Sequence, residues 1–223
     1  ENNNTCSRYQ LHSSPHANLY TLNGNYYYYV ICVHNTNSVD HIAYLGSSFL
    51  YQEIYYKEKL HIANPTSNVG IVTLWTPMQA ILPNLDQTEF NIGGQLYSKV
   101  GVNYIIRNIL ANPVIDTLIV CGANRSGSAD ALINFIEKGI DKENAVIGVD
   151  KANIDKEIDK ESLELFRKKV KVVKLLDNSS HSKVSEELKK VYKKNSKSWS
   201  EAKTFPEPEK KETDKFPSEK STF

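Results

Sequence analysis

The sequence predicts an α/β fold, a three-layer domain around a mostly parallel sheet of about five strands. Three observations lead there. Short apolar runs rich in β-branched residues alternate with segments of helical spacing, the pattern of a parallel sheet covered on both faces. Connections such as Asn112-Pro113 are short. Glycine-bearing loops stand between the periodic segments. Together these make the arrangement Rossmann-like, with a strand order that one sequence does not fix.

The elements follow in chain order. Residues 1–18 are polar, rich in Asn, Ser and His, and read as a flexible lead-in. Residues 19–33 contain YYYYVICV, an aromatic and β-branched run bounded by Asn23-Gly24 and by residues 35–38, which reads as a strand. Over residues 38–62, Ile42, Leu45, Phe49, Leu50 and Ile54 recur at helical steps. Ser38 suits the cap of such a helix, and Gly46 weakens it by about 1 kcal/mol relative to Ala. VGIVTLW at 69–75 is a compact strand, closed by Thr76-Pro77; Pro77 fits the first turn of a helix through residue 82. Residues 83–92 form a polar loop. Residues 100–111 form a helix with Val102, Ile105, Ile106 and Ile109 on its apolar side. A core strand at 115–121 precedes a helix at 128–138, which Gly139 stops. A short strand at 146–149, an amphipathic helix at 160–169, a strand at 170–176 and a charged helix at 182–194 complete a single domain spanning 19–196. From residue 197 to 223 the chain turns to Pro, Glu and Lys without an apolar period and reads as a disordered linker toward a further C-terminal domain.

Composition narrows the function. The 223 residues carry a net charge of +1, which argues against a dedicated nucleic-acid binder. At 40% hydrophobic and 24% charged residues, the chain has the makings of an ordinary core. Lysines alternate with acidic residues after Lys138, the mark of solvated helix faces. Cys6, Cys32 and Cys121 are an odd, widely spaced set rather than a disulfide framework, and a cytoplasmic setting suits them. No apolar run is long enough to cross a membrane.

Two stretches are candidates for binding. Gly93-Gly94 reads as a turn ahead of the helix at 100–111, where free backbone N–H groups attract phosphate or carboxylate, with Ser98 adding a hydroxyl. The bland alternative is a turn whose glycines only supply unusual backbone angles. The second stretch, Gly122, Asn124, Arg125, Ser126, Gly127 and Ser128, follows an apolar strand and opens a helix. Arg125 offers fixed donors to an anion, while Ser126 or Ser128 also suits the helix cap. His41, in DHIAYLG, is better read as a helix-start residue than as a general base. Glu53 and Glu58 are expected in solvated ion pairs, and the remaining histidines make no metal-ligand spacing. No catalytic constellation, metal site, dinucleotide fingerprint or P-loop is present in the sequence.

The core also carries a resemblance. VGIVTL, then VGVNYIIRNILANPVIDTLIVCG with its glycine loop, then KGIDKENAVIG and ESLELFRKKVKVVKLLD, make residues 69–177 similar to the corrinoid-carrying A subunit of tetrahydromethanopterin S-methyltransferase. DHIAYLGSSFLYQE and the tail phrases FPEPE and FPSEK extend a resemblance to an uncharacterised domain attached to thymidylate synthases of archaeal type. The resemblance implies a ligand-binding accessory domain in one-carbon and dTMP metabolism, with a small-molecule ligand (a pterin or folate-like molecule, or a nucleotide), a C-terminal synthase domain as partner, and homo-oligomers within its range. In the corrinoid carrier a cobalt-ligating histidine follows the loop glycine; Ser128 stands at the matching position here. A synthase nucleophile sits in a Pro-Cys context, whereas Cys121 follows Val120. The alternatives are a corrinoid-dependent methyltransferase component without that histidine, and a non-catalytic assembly domain.

Overall fold

The computed structural model describes residues 18–22, 25–31, 42–43 and 54–208. The chain divides into two compact units, Glu1–Gln52 and Glu53–Phe223. In the first, β1 (Asn18–Leu22) pairs antiparallel with β2 (Asn25–Ile31), Leu22 opposite Asn25, and β2 pairs antiparallel with β3 (Ile42–Ala43). The aromatic run therefore forms strand, as its composition predicts. The helix expected over 38–62 is corrected at both described ends. Ile42 and Ala43 are extended, and Lys57–Lys59 forms a single 3-10 turn before β4 (Leu60–Ile62). Non-local pairing overrides the local periodicity there: β4 gains a full antiparallel partner, Leu60 opposite Gly94 and Ile62 opposite Ile92. His41 and residues 44–53 lie outside the described residues.

The second unit holds a five-stranded sheet in the order β4, β6 (Ile92–Gly94), β5 (Val69–Val72), β7 (Thr117–Gly122), β8 (Lys171–Leu176). All neighbours are parallel except β4. Three of these strands match the predicted runs at 69–75, 115–121 and 170–176. β4 falls where the sequence predicts helix and β6 where it predicts loop and turn, and the strand predicted at 146–149 is replaced by isolated bridges (Ile140 with Val146, Ala145 with Asn153).

Alternation along the central strands feeds two cores. Val72, Leu118 and Val120 face a layer built from α2 (Gly101–Ala111), α3 (Ser128–Lys138) and α4 (Lys160–Lys169). Val69, Ile71, Ile119 and Cys121 face α1 (Met78–Ile81) and α5 (His181–Val191). The result is the three-layer α/β arrangement. Asp159 caps α4 by accepting the Ser162 N–H at 2.7 Å. Gly139 terminates α3 at φ 84°, as its sequence position predicts. No helix among the described residues is long and apolar enough to cross a membrane.

Gly93 and Gly94 are strand residues of β6, not a turn, which corrects their predicted role. A Cβ on Gly93 would lie 2.5 Å from Leu82 and one on Gly94 2.5 Å from Leu60. The glycines let side chains close over both faces of a narrow strand, so their backbone N–H groups serve the sheet rather than a helix start.

The linker reading is corrected over residues 197–208, which lie along the α2–α4 layer. Trp199 donates its indole N–H to the Ile115 carbonyl at 3.0 Å, and the Lys203 N–H donates to Leu110 at 2.9 Å. The Tyr55 hydroxyl donates to the Phe205 carbonyl at 2.8 Å and accepts the Phe205 N–H at 3.1 Å. Arg107, fully buried on α2, pairs with Asp155 at 2.6 Å and donates to the Pro206 carbonyl at 2.8 Å. Trp199 and Phe205 supply the apolar anchors that composition statistics for the whole tail dilute. Arg107→Ala leaves Asp155 and the Pro206 carbonyl without their donor. It is expected to cost about 3 kcal/mol in urea unfolding, and to expose the chain after Trp199 to limited proteolysis before global unfolding.

Candidate functional site

The chain runs from β5 outward to β6 and then crosses back to β7 and outward to β8, so the strand order reverses between β5 and β7. The loops leaving their carboxyl ends, residues 73–76 and 122–128, flank the crevice where open α/β sheets bind ligands. Gly122 sets the geometry. Its φ is 86°, and a Cβ there would lie 2.4 Å from the Thr73 carbonyl and 2.6 Å from the Thr76 hydroxyl. Its N–H donates to Asn178 at 2.7 Å, and its carbonyl accepts from Asp177 at 2.9 Å. One residue on, the Ala123 N–H donates to the Thr76 hydroxyl at 3.1 Å, and the Ala123 carbonyl accepts from the Trp75 N–H at 3.2 Å. Glycine thus lets the β5 and β7 loops touch at their base.

Above that base runs a chain of hydrogen bonds. The Trp75 indole N–H donates to the Ser126 hydroxyl at 3.1 Å, Ser126 donates to Ser128 at 3.0 Å, and Ser128 donates to the Leu96 carbonyl at 2.8 Å. Three loops, after β5, β7 and β6, are tied by it. Ser128 is fully buried. Neither serine caps α3, a correction to that expectation: the N-cap is Gly127 in the left-handed region at φ 68°, and the hydroxyls are engaged in the relay. Beside the relay, Trp75 and Tyr97 meet edge-to-face at 5.5 Å and 83°, and they remain 43% and 50% exposed.

Asn124 is fixed by two bonds, its N–H to Asp177 at 3.1 Å and its side-chain amide N–H to Asp130 at 3.2 Å. Its carbonyl Oδ1 is buried without a partner among the described residues. Arg125 is exposed and makes no ion pair among the described residues. Its guanidinium stands at the loop that opens α3, whose free N-terminal N–H groups favour a nearby negative charge by about 0.3–1 kcal/mol.

Of the sequence candidates, the structure brings together Gly122, Asn124, Arg125, Ser126, Gly127 and Ser128. Ser98 lies exposed in the turn before α2, its carbonyl accepting the Gly101 N–H at 3.1 Å. Sequence reasoning missed Trp75, Thr76, Tyr97 and Asp177. Each lies just past the end of a parallel strand; Trp75, Thr76 and Asp177 follow strands that the sequence predicts, and Tyr97 comes within reach of the same rule once β6 is recognised. A narrow apolar cleft between α2 and the sheet, walled by Gly70, Ile92, Gly94, Ile105 and Ile109, lacks comparable convergent polar groups and is a weaker binding candidate.

His61 bonds Gln87 at 2.6 Å and stacks on Phe90, and His181 is exposed at the start of α5. No three His, Cys, Asp or Glu side chains converge on a metal position among the described residues. Cys121 lies on the α1/α5 face of β7, and burial pushes its thiol up from 9.0 to about 12. Ionisation is then easier in the unfolded chain, so the contribution of this thiol to stability is intact below about pH 9 and falls as pH rises toward 12. Peptide mapping after iodoacetamide at pH 8 is expected to find Cys121 alkylated only once the protein is unfolded.

No curated protein sequence matches the chain. The family model MtrA, which describes the A subunit of tetrahydromethanopterin S-methyltransferase, matches residues 54–214, and that match begins one residue into the second compact unit. It covers the sheet, both helical layers, the strap along α2 and the loop of residues 122–128, and the chain therefore belongs to the family of tetrahydromethanopterin S-methyltransferase A subunits.

Proposed function

We propose that the second unit is a ligand-binding component of a methyl-transfer system, holding a small molecule with a phosphate or carboxylate group at the carboxyl edge of β5 and β7. The observation that carries this reading is the exposed Arg125 without an ion-pair partner among the described residues, on a loop that opens α3 where the strand order reverses. Its role would be accessory: the binding loop holds no nucleophile and base in contact, and Cys121 is buried inside the sheet. A thymidylate-synthase-type partner domain in cytoplasmic one-carbon metabolism is the setting we propose, on the resemblance of the sequence alone.

The family match favours a second reading, a corrinoid-dependent methyltransferase component. A corrinoid held through a lower imidazole ligand does not fit these residues. At the matching position the Ser128 hydroxyl is buried, accepts from Ser126 and donates to Leu96. Cobalamin incubated with the protein is expected to separate from it on gel filtration; a visible absorbance band travelling with the protein would restore the corrinoid reading.

Isothermal titration of the full chain with pyrophosphate tests the anion site. Arg125→Ala is expected to weaken binding about tenfold, the loss of one charge-assisted contact. The melting temperature should stay within about 1 °C, because the side chain is exposed. Equal loss of affinity and stability would make Arg125 structural and remove the reading's main support.

A further inference from the structure

We propose that the ligand of this site carries a flat heteroaromatic ring, a pterin or a nucleobase, that stacks in the corner formed by Trp75 and Tyr97. The inference rests on the proposed ligand-binding role and adds the chemical class of what is bound. The two rings stand 83° apart with centroids 5.5 Å apart, and 43% and 50% of these residues' surfaces stay open to solvent. In a perpendicular pair, a plate that stacks on either ring is met at its rim by the face of the other. A corner of this kind grips a thin planar group on two sides, whereas a bulky aliphatic ligand touches it poorly.

The corner is also held in advance. The Trp75 indole is fixed by its bond to Ser126, and Ser126 by Ser128, whose hydroxyl ends on the carbonyl of Leu96, the residue before Tyr97. The relay thus holds the Trp75 ring and the backbone next to Tyr97, so stacking on Trp75 requires little additional ordering of that ring. Ser126 and Ser128 are positioning residues in this scheme, which explains why two hydroxyls in series occupy the loop.

Arg125, between Asn124 and Ser126 in the same loop, is exposed and would take the phosphate of a nucleotide or the carboxylate of a folate-like tail.

Calorimetric titration of the full chain with four probes separates the ring from the anion: uridine, dUMP, pterin-6-carboxylate and pyrophosphate. The wild-type chain is expected to bind dUMP or pterin-6-carboxylate more tightly than pyrophosphate. Trp75→Leu should weaken the ring-bearing probe by about tenfold or more, as base–aromatic stacking does elsewhere. Trp75→Phe keeps a ring but loses the bond to Ser126, so it should weaken the ring-bearing probe less than Trp75→Leu does, and in both variants pyrophosphate should lose less affinity than the ring-bearing probe. Circular dichroism melts of both variants establish that they are folded, and the phenylalanine variant keeps the test informative should the leucine variant fold poorly. A preference for dUMP and uridine would identify a nucleotide, and a preference for the pterin a folate-like ligand. Pyrophosphate binding without any ring probe would overturn the ring inference and leave the anion site standing. Ring binding unchanged by Trp75→Leu would overturn the corner. Binding of uridine without pyrophosphate would remove the anion reading and keep the ring. Silence from all four probes would overturn both.

Discussion

The absence of a side chain at Gly122 is the constraint from which the carboxyl edge is built. β7 pairs in parallel with both β5 and β8, and its last residue is where three loops must pass one another. With φ at 86° and the Thr73 carbonyl 2.4 Å from where a Cβ would stand, no other residue type fits without displacing the β5 loop. Once the loops touch, Thr76 can reach Ala123, Trp75 can reach Ser126, and Asp177 can reach Asn124. Three of the contacts that organise the site start within four residues of that glycine. The loop glycine is therefore a packing requirement first, and the shape of the crevice follows from it.

Much of the fold was legible because local pattern and tertiary role agree. VGIV and TLIV are buried on both faces, and continuous apolar runs are what such strands demand. The helices at 101–111, 128–138 and 160–169 carry one apolar face each and were readable by period alone. Agreement failed where the element is short and its stability is non-local. β6 is three residues with two glycines, a composition that signals turn, and it becomes strand because Leu82 and Leu60 fill the space over its two faces. β4 likewise inherits its form from β6. The site was half legible for the same reason. The loop after β7 announces itself through Gly and Ser, whereas Trp75 and Tyr97 look like ordinary core aromatics until the strands ending before them are placed. Residues 197–208 failed differently: a Lys- and Glu-rich segment needs only two anchors, Trp199 and Phe205, to lie along a helix layer.

Ser128 stands where the family fold opens α3. The family match spans the loop, yet the residue that opens α3 is a buried hydroxyl with a donor on one side and an acceptor on the other. An imidazole in that place would need room that the fully buried position does not have, and would break a relay ending on the β6 loop. Membership of the family accounts for the scaffold, and the aromatic pair and serine relay are what this chain presents at its carboxyl edge.

The clasp between Tyr55 and Phe205 has a topological meaning of its own. A single hydroxyl bridges the backbone near the beginning of the folded unit to the backbone near its end, and Arg107 fastens the next residue, Pro206, to the same helix that Asn108 fastens to Tyr55. Residues 55 and 205, near the two ends of the described part of this unit, therefore lie side by side. A closure of this kind makes the packing of the first residues of the fold depend on the last ones described, so that loosening either end loosens both.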